Sequence, residues 1–138
     1  MTRFSAALPF FCRPMPRLYA CIHGILGEAI DAREFSIALA DRKADRLEYV
    51  YFASDSEPTP TPIEGLSSRI PPLTKDNFND FSGKNIVLEV MRTVHPLLVT
   101  RRGMSLTGLV CPGRTPEVWL GVPIRVHQEV LGVMASQM

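Results

Sequence analysis

Hydrophobic positions recur along the chain with two different periods, and the change from one to the other predicts the elements. From Arg17 onward, Leu18, Cys21, Ile22, Ile25, Leu26 and Ile30 fall at helical spacing, with Pro16 placed to open the helix. Gly24 and Gly27 lie inside it at ~1 kcal/mol each against alanine, so they mark either a close approach to a neighbour or a tolerated weak spot. Glu34 to Ala40 alternates large with small residues, as a strand does, and Asp41 to Asp45 is a charged turn. Leu47 to Ala53, rich in aromatic and branched residues, supplies an antiparallel partner. Pro58, Pro60 and Pro62 stiffen an exposed connection. Between Ile63 and Ser82 the signals are mixed: Pro71-Pro72 prevents one long helix, and Thr74 to Asn77 suits a cap for a short turn through Phe78 and Phe81.

Ser82 reads as the N-cap of a second helix carrying Ile86, Val87, Val90, Met91 and Val94, limited by Pro96. Pro96 to Thr100 reads as a short strand, and Arg101 to Pro116 as an irregular excursion. Val118 to Val126 and Val130 to Gln137 form a closing hairpin around His127-Gln128-Glu129. Both faces of that hairpin are mostly apolar, so the sheet is expected to be covered on both sides, with Leu131 and Val133, or alternatively Val130 and Met134, fully buried. Helices cover one face in this reading. The segments between Ile63 and Pro116 cover the other, and a loop-rich cover is a common setting for a small-molecule cavity.

Composition narrows the class of protein. The 138 residues, 46% hydrophobic and 21% charged, suit one domain that buries roughly two thirds of its unfolded surface without a metal or disulfide staple. A net charge of +1, with Arg42-Lys43 and Arg101-Arg102 as the only basic pairs, argues against nucleic acid. Apolar stretches are interrupted well short of the ~20 residues that a membrane span requires. Residues 1–16, with Pro9, Pro14 and Pro16, read as a lead-in or linker and a poor secretory signal, leaving 17–138 as the domain and the cytoplasm as the expected compartment. Cys12, Cys21 and Cys111 form no close pair and suit free thiols.

The order of elements resembles the GAF domain, and four stretches carry the likeness. Leu18 to Ile30, with Tyr19 and His23, is similar to the family's opening helix, and Ile30 to Leu39 to its first strand. Asn85 to Val99 resembles the helix, corner and strand in which Val94-His95 stand where the family often has glycine and a base. Trp119 to Ile124 and Val130 to Ala135 resemble the closing hairpin, with Gln128 or a neighbour in place of the usual turn glycine. A positive φ at Gln128 is expected to add about 1 kcal/mol of strain. The resemblance implies an α+β, GAF-like fold of the PAS/profilin-like kind: an antiparallel sheet with helices on one face and a loop-covered cavity on the other. It also implies bacterial-style signalling, such as a sensor histidine kinase of a two-component system, with a kinase, cyclase or transcriptional output elsewhere on a longer chain. Family members usually follow the closing hairpin with a further helix packed beside the first. Here the sequence ends at Met138 directly after a strand, so the face of Leu18, Cys21, Ile22, Ile25 and Leu26 is expected to pair in a homodimer.

Individual residues give little sign of chemistry. His23, His95 and His127 are far apart, without the short spacing of metal sites, and Cys111 has neither a base placed by the sequence nor the adjacent histidine of bilin-linking family members. Ser82-Gly83-Lys84-Asn85 resembles a helix cap more than a phosphate cradle. No cofactor is named by the sequence and no enzyme is expected. Tyr49, Tyr51, Met104 and Trp119 are the candidate ligand-binding residues for an unknown, non-covalently bound small molecule, although the same four also suit core packing. The competing function is a ligand-free dimerisation or scaffolding module. A pocket of a few hundred Å3 with polar as well as apolar walls would separate the two.

Overall fold

The computed structural model describes residues 16–30, 33–70 and 84–138. Their elements run α1 (Pro16–Ala29), β1 (Glu34–Asp41), β2 (Arg46–Ala53), β3 (Ile63–Glu64), α2 (Leu66–Arg69), α3 (Ile86–Thr93), β4 (Leu97–Thr100), α4 (Arg101–Thr107), β5 (Val118–Val126) and β6 (Glu129–Gln137). The six strands form one antiparallel sheet in the order β3-β2-β1-β6-β5-β4. The fold is α+β, as the family resemblance implies.

Each face of the sheet carries its own core. On one side α1 lays Tyr19, Ile22 and Leu26 against Phe35, Ile37, Leu39, Val50 and Tyr51. On the other, Ala38, Ala40, Leu47, Trp119, Val133 and Ala135 meet Leu66 of α2, most of α3, and Met104 of α4. The small side chains of β1 and β6 on that second face leave room for α3, whose residues from Ile86 to Arg92 are all buried. A helix apolar nearly all round is what a buried position requires, and its two charged members, Glu89 and Arg92, form a bidentate ion pair through Arg92 Nε and Nη2, while Nη1 has no hydrogen-bond partner among the described residues. Two glycines are needed for close approach. A Cβ on Gly132 would sit 1.9 Å from the Ala38 carbonyl oxygen, and one on Gly121 would strike the Trp119 indole, which lies along its own strand.

Several expectations are corrected. The second helix is capped by Asn85, whose Oδ1 accepts from Val87 N at 2.8 Å, and Ser82 lies outside the described residues, as does the expected turn at 74–81. Part of the excursion after Arg101 is a helix, capped by Thr100 Oγ1 accepting from Gly103 N and ended by Gly108 at φ 80. The strained residue of the closing turn is His127 (φ 56), not Gln128, and Val94 also takes a left-handed φ of 56 at the end of α3, where glycine is easier. Leu131 and Val133 are the buried hairpin pair, whereas Val130 and Met134 are half-buried. Among the described residues, nothing outside the helix comes within 4 Å of where a Cβ on Gly24 or Gly27 would sit. The α1 stripe is divided: Ile22 and Leu26 face the sheet, while Leu18, Cys21 and Ile25 are exposed.

Candidate functional site

A β-bulge decides where the aromatic candidates point. Ala38 pairs with Tyr49 and Ile37 with Tyr51, so Val50 is inserted between two consecutive rungs and Tyr49 and Tyr51 leave the sheet on opposite faces. Tyr51 lies under α1, where its hydroxyl meets His23 Nδ1 at 2.8 Å and its ring stands edge-on to His23 and Phe35. Tyr49 joins Met104 and Trp119 in the core of the other face, with Phe52 edge-on to it. Burial, with a smaller push from the neighbouring Cys111, drives the Tyr49 phenol pKa far upward. The four candidates therefore do not converge, and none lines either of the two clefts described next.

The first cleft, about 500 Å3, opens at the sheet end where the β1–β2 and β5–β6 turns lie, on the face covered by α2 and α3. Its walls alternate in character: Leu66, Ile70, Met91 and Val130 are apolar, and Arg42, Ser67, Gln128 and Glu129 are polar. Asp45 holds the α2 wall in place. Its Oδ1 accepts from Ser67 N and its Oδ2 from the Ser67 hydroxyl, both at 2.8 Å, and its carbonyl accepts from Leu66 N. Asp45 has the left-handed backbone that a short polar side chain tolerates (φ 52). Across the cleft, Arg42 Nη2 donates to the Val130 carbonyl at 2.7 Å. None of these polar groups stands out in the sequence, because charged turn residues are ordinarily solvated surface.

The second cleft, about 330 Å3, lies where β1 begins and β6 ends, lined by Arg33, Glu34, Asp55, Ser56, Arg114, Gln137 and Met138. Its centre is Glu34, which is buried. Glu34 Oε1 accepts from Ser54 Oγ at 2.7 Å, and Oε2 from Arg114 Nη2 at 3.0 Å and Gln137 Nε2 at 3.4 Å. Burial alone raises its pKa, but those hydrogen bonds and the Arg114 charge outweigh it and hold the carboxyl below the ordinary value of 4.5. Gln137 Oε1 in turn accepts from the buried Cys111 thiol at 3.7 Å. Burial, then the charges of Glu34 and Glu57, push that thiol up to about 11. Such a thiol is protonated at neutral pH and a poor nucleophile.

Among the described residues, no three His, Cys, Asp or Glu gather as a metal centre, and no helix is long and apolar enough to cross a membrane.

No family model and no curated protein sequence matches the chain. Solved structures do. The GAF domain from an Acinetobacter phosphoenolpyruvate-protein phosphotransferase superposes with a TM-score of 0.58 at 16% identity, over 84% of this chain and 61% of that one. A free methionine-R-sulfoxide reductase from Neisseria meningitidis, solved with its substrate, gives 0.58 at 15% identity, over 86% and 59%. NreA from Staphylococcus aureus, mutated in its nitrate-binding site, gives 0.57 at 12% identity, over 88% and 83%. The chain thus spans about three fifths of the length of the first two structures. At these identities the likeness concerns the fold, and the fold is that of a GAF domain.

Proposed function

We propose that the chain is a sensing domain that binds a small molecule in the cleft beside α2 and α3 and regulates an output domain of a longer signalling protein. The observation that carries this reading is the cleft itself, about 500 Å3 with four polar and four apolar lining residues. That is within the roughly 300–1,000 Å3 of ordinary ligand sites, with the mixed walls that fix a ligand's orientation. A ligand-free scaffold has no need to keep such a space open beside a helix as thoroughly buried as α3. The lining also favours binding over catalysis, since the Ser67 hydroxyl donates to Asp45 and has no histidine beside it in the lining. Two solved proteins of this fold are described with a substrate and with a nitrate-binding site, so the architecture is compatible with small ligands. The cytoplasm is the compartment we propose for this signalling role.

The partner we propose is a second copy of the chain, paired through α1. This rests on the outward residues Leu18 and Ile25, 45% and 62% exposed, with Gly24 and Gly27 open beside them. Sedimentation should then give a dimer that Ile25→Asp breaks. A monomer at high concentration for both forms would remove the pairing.

Native mass spectrometry of the chain, purified without added ligand, tests the sensing role. It is expected to show a bound small molecule that is lost when Ile70→Trp fills the cleft while the circular dichroism spectrum is kept. If wild type carries no such mass, and no compound in a metabolite panel stabilises it more than Ile70→Trp, the sensing role is wrong.

A further inference from the structure

The charges at the first cleft narrow the class of ligand, an inference that rests on that cleft being the sensing site. Arg42 and Glu129 both line it, yet no ion pair joins them. The guanidinium is oriented by the single bond from Nη2 to the Val130 carbonyl, which leaves Nε and Nη1 as donors. The Glu129 carboxylate has no hydrogen-bond or ion-pair partner among the described residues. The cleft therefore presents one fixed cation and one open carboxylate over an apolar floor of Leu66, Ile70 and Met91. An anionic ligand would face the Glu129 carboxylate and a cationic one the Arg42 guanidinium, and like charges brought together across an interface are unfavourable. A molecule carrying both charges, with an apolar remainder, meets all three features at once.

We propose that the cleft takes a small zwitterion with an apolar side chain, of the free α-amino acid class, its carboxylate on Arg42 and its ammonium towards Glu129. The carboxylate gains the planar fork of donors that arginine offers and lysine does not. Because the Val130 carbonyl already holds the guanidinium, less freedom is lost on binding. The side chain then lies on Ile70 and Met91.

Calorimetric titration of the full chain with L-leucine, N-acetyl-L-leucine, L-leucine methyl ester and glycine tests the assignment. Leucine is expected to bind, with each blocked derivative weaker by about tenfold or more, since a hydrogen bond to a charged group is lost, and with glycine weaker for want of a side chain. Glu129→Gln should weaken leucine by a similar factor while strengthening the anionic N-acetyl compound, which no longer faces a like charge. Arg42→Gln should weaken leucine and strengthen the cationic methyl ester, by the same relief of like charge. Both residues are exposed, so both variants should fold. The proposal is overturned if the N-acetyl compound binds as tightly as leucine, or if each variant weakens all four compounds alike. Should none of the four bind while mass spectrometry finds another molecule that Ile70→Trp excludes, the ligand class is wrong and the sensing reading stands. Leucine binding that survives Ile70→Trp unchanged would place the amino acid elsewhere and overturn both.

Discussion

The two clefts, at opposite ends of the same sheet, contain similar chemistry in different states of engagement. At the β1 start, Glu34 is tied to Ser54, Arg114 and Gln137, and through Gln137 to the Cys111 thiol. At the hairpin end, Arg42 makes one hydrogen bond to a carbonyl and Glu129 has no partner among the described residues. The first set of charges is internal cross-linking that anchors the segment around Arg114 to the sheet. The second faces open space. A hollow with polar walls is thus weak evidence for binding until one asks whether its polar groups are already satisfied.

The largest expected effect concerns what the open end has in common with the closed one, a structural floor. Leu66 lines the first cleft yet is only 1% exposed and belongs to the main core. Leu66→Ala should destabilise by about 3 kcal/mol in urea unfolding, through lost burial and the residual cavity. A change below about 1 kcal/mol would mean that α2 is not part of the core, and the contrast between a fixed floor and free charges would dissolve.

Next comes the closed end. Glu34→Ala removes the acceptor for three donors, and with Arg114 half-exposed to water the expected loss is about 2 kcal/mol. Because folding holds the Glu34 carboxyl below its unfolded value, its contribution is complete above about pH 4.5 and is lost as the pH falls through the lower, folded value. Wild type should therefore lose more stability than Glu34→Gln between about pH 5 and pH 3. Parallel losses would show the network to be loose.

The fold was largely legible because it rests on periodicity. The α1 stripe and the hairpins follow from spacing alone, which left two candidate buried pairs in β6 and could not choose Leu131-Val133 over Val130-Met134. The site was not, for physical reasons that particular residues show. A single inserted residue, Val50, sends Tyr51 to the α1 face, and alternation read from one strand contains no sign of an insertion relative to its partner. The helix α4 is only seven residues long and contains Gly103, so its signal was its caps, Thr100 and Gly108, more than its period. Arg42 and Glu129 read as turn surface because what sets them apart is the neighbour each lacks.

Thiol labelling probes the closed end with a smaller perturbation. Cys21 is exposed and Cys111 buried. Raised from 9.0 to about 11, the Cys111 thiol has roughly a hundredfold less thiolate at neutral pH than an ordinary one. An alkylating reagent should modify Cys21 before Cys111, and Glu34→Gln should speed labelling of Cys111 by loosening its cover and removing one of the charges that oppose ionisation. Equal rates at Cys21 and Cys111 in wild type would mean that the network does not protect its end of the sheet.

The smallest expected effect is the most discriminating. Glu129 lies at the exposed start of β6 and its carboxylate has no partner among the described residues, so Glu129→Gln breaks none of their hydrogen bonds and opens no cavity. Surface substitutions of that kind fall within about 0.5 kcal/mol of wild type. The same carboxylate-to-amide change at Glu34 replaces a charged acceptor held by an arginine, a serine and a glutamine, and should be several times more costly. Measured side by side in urea at neutral pH, the pair isolates what engagement contributes, because the chemical change is identical and only the surroundings differ. If Glu129→Gln proved as damaging as Glu34→Gln, its carboxylate would have a structural partner. The hairpin-end charges would then be cross-links as well, and a ligand would have to displace them to bind.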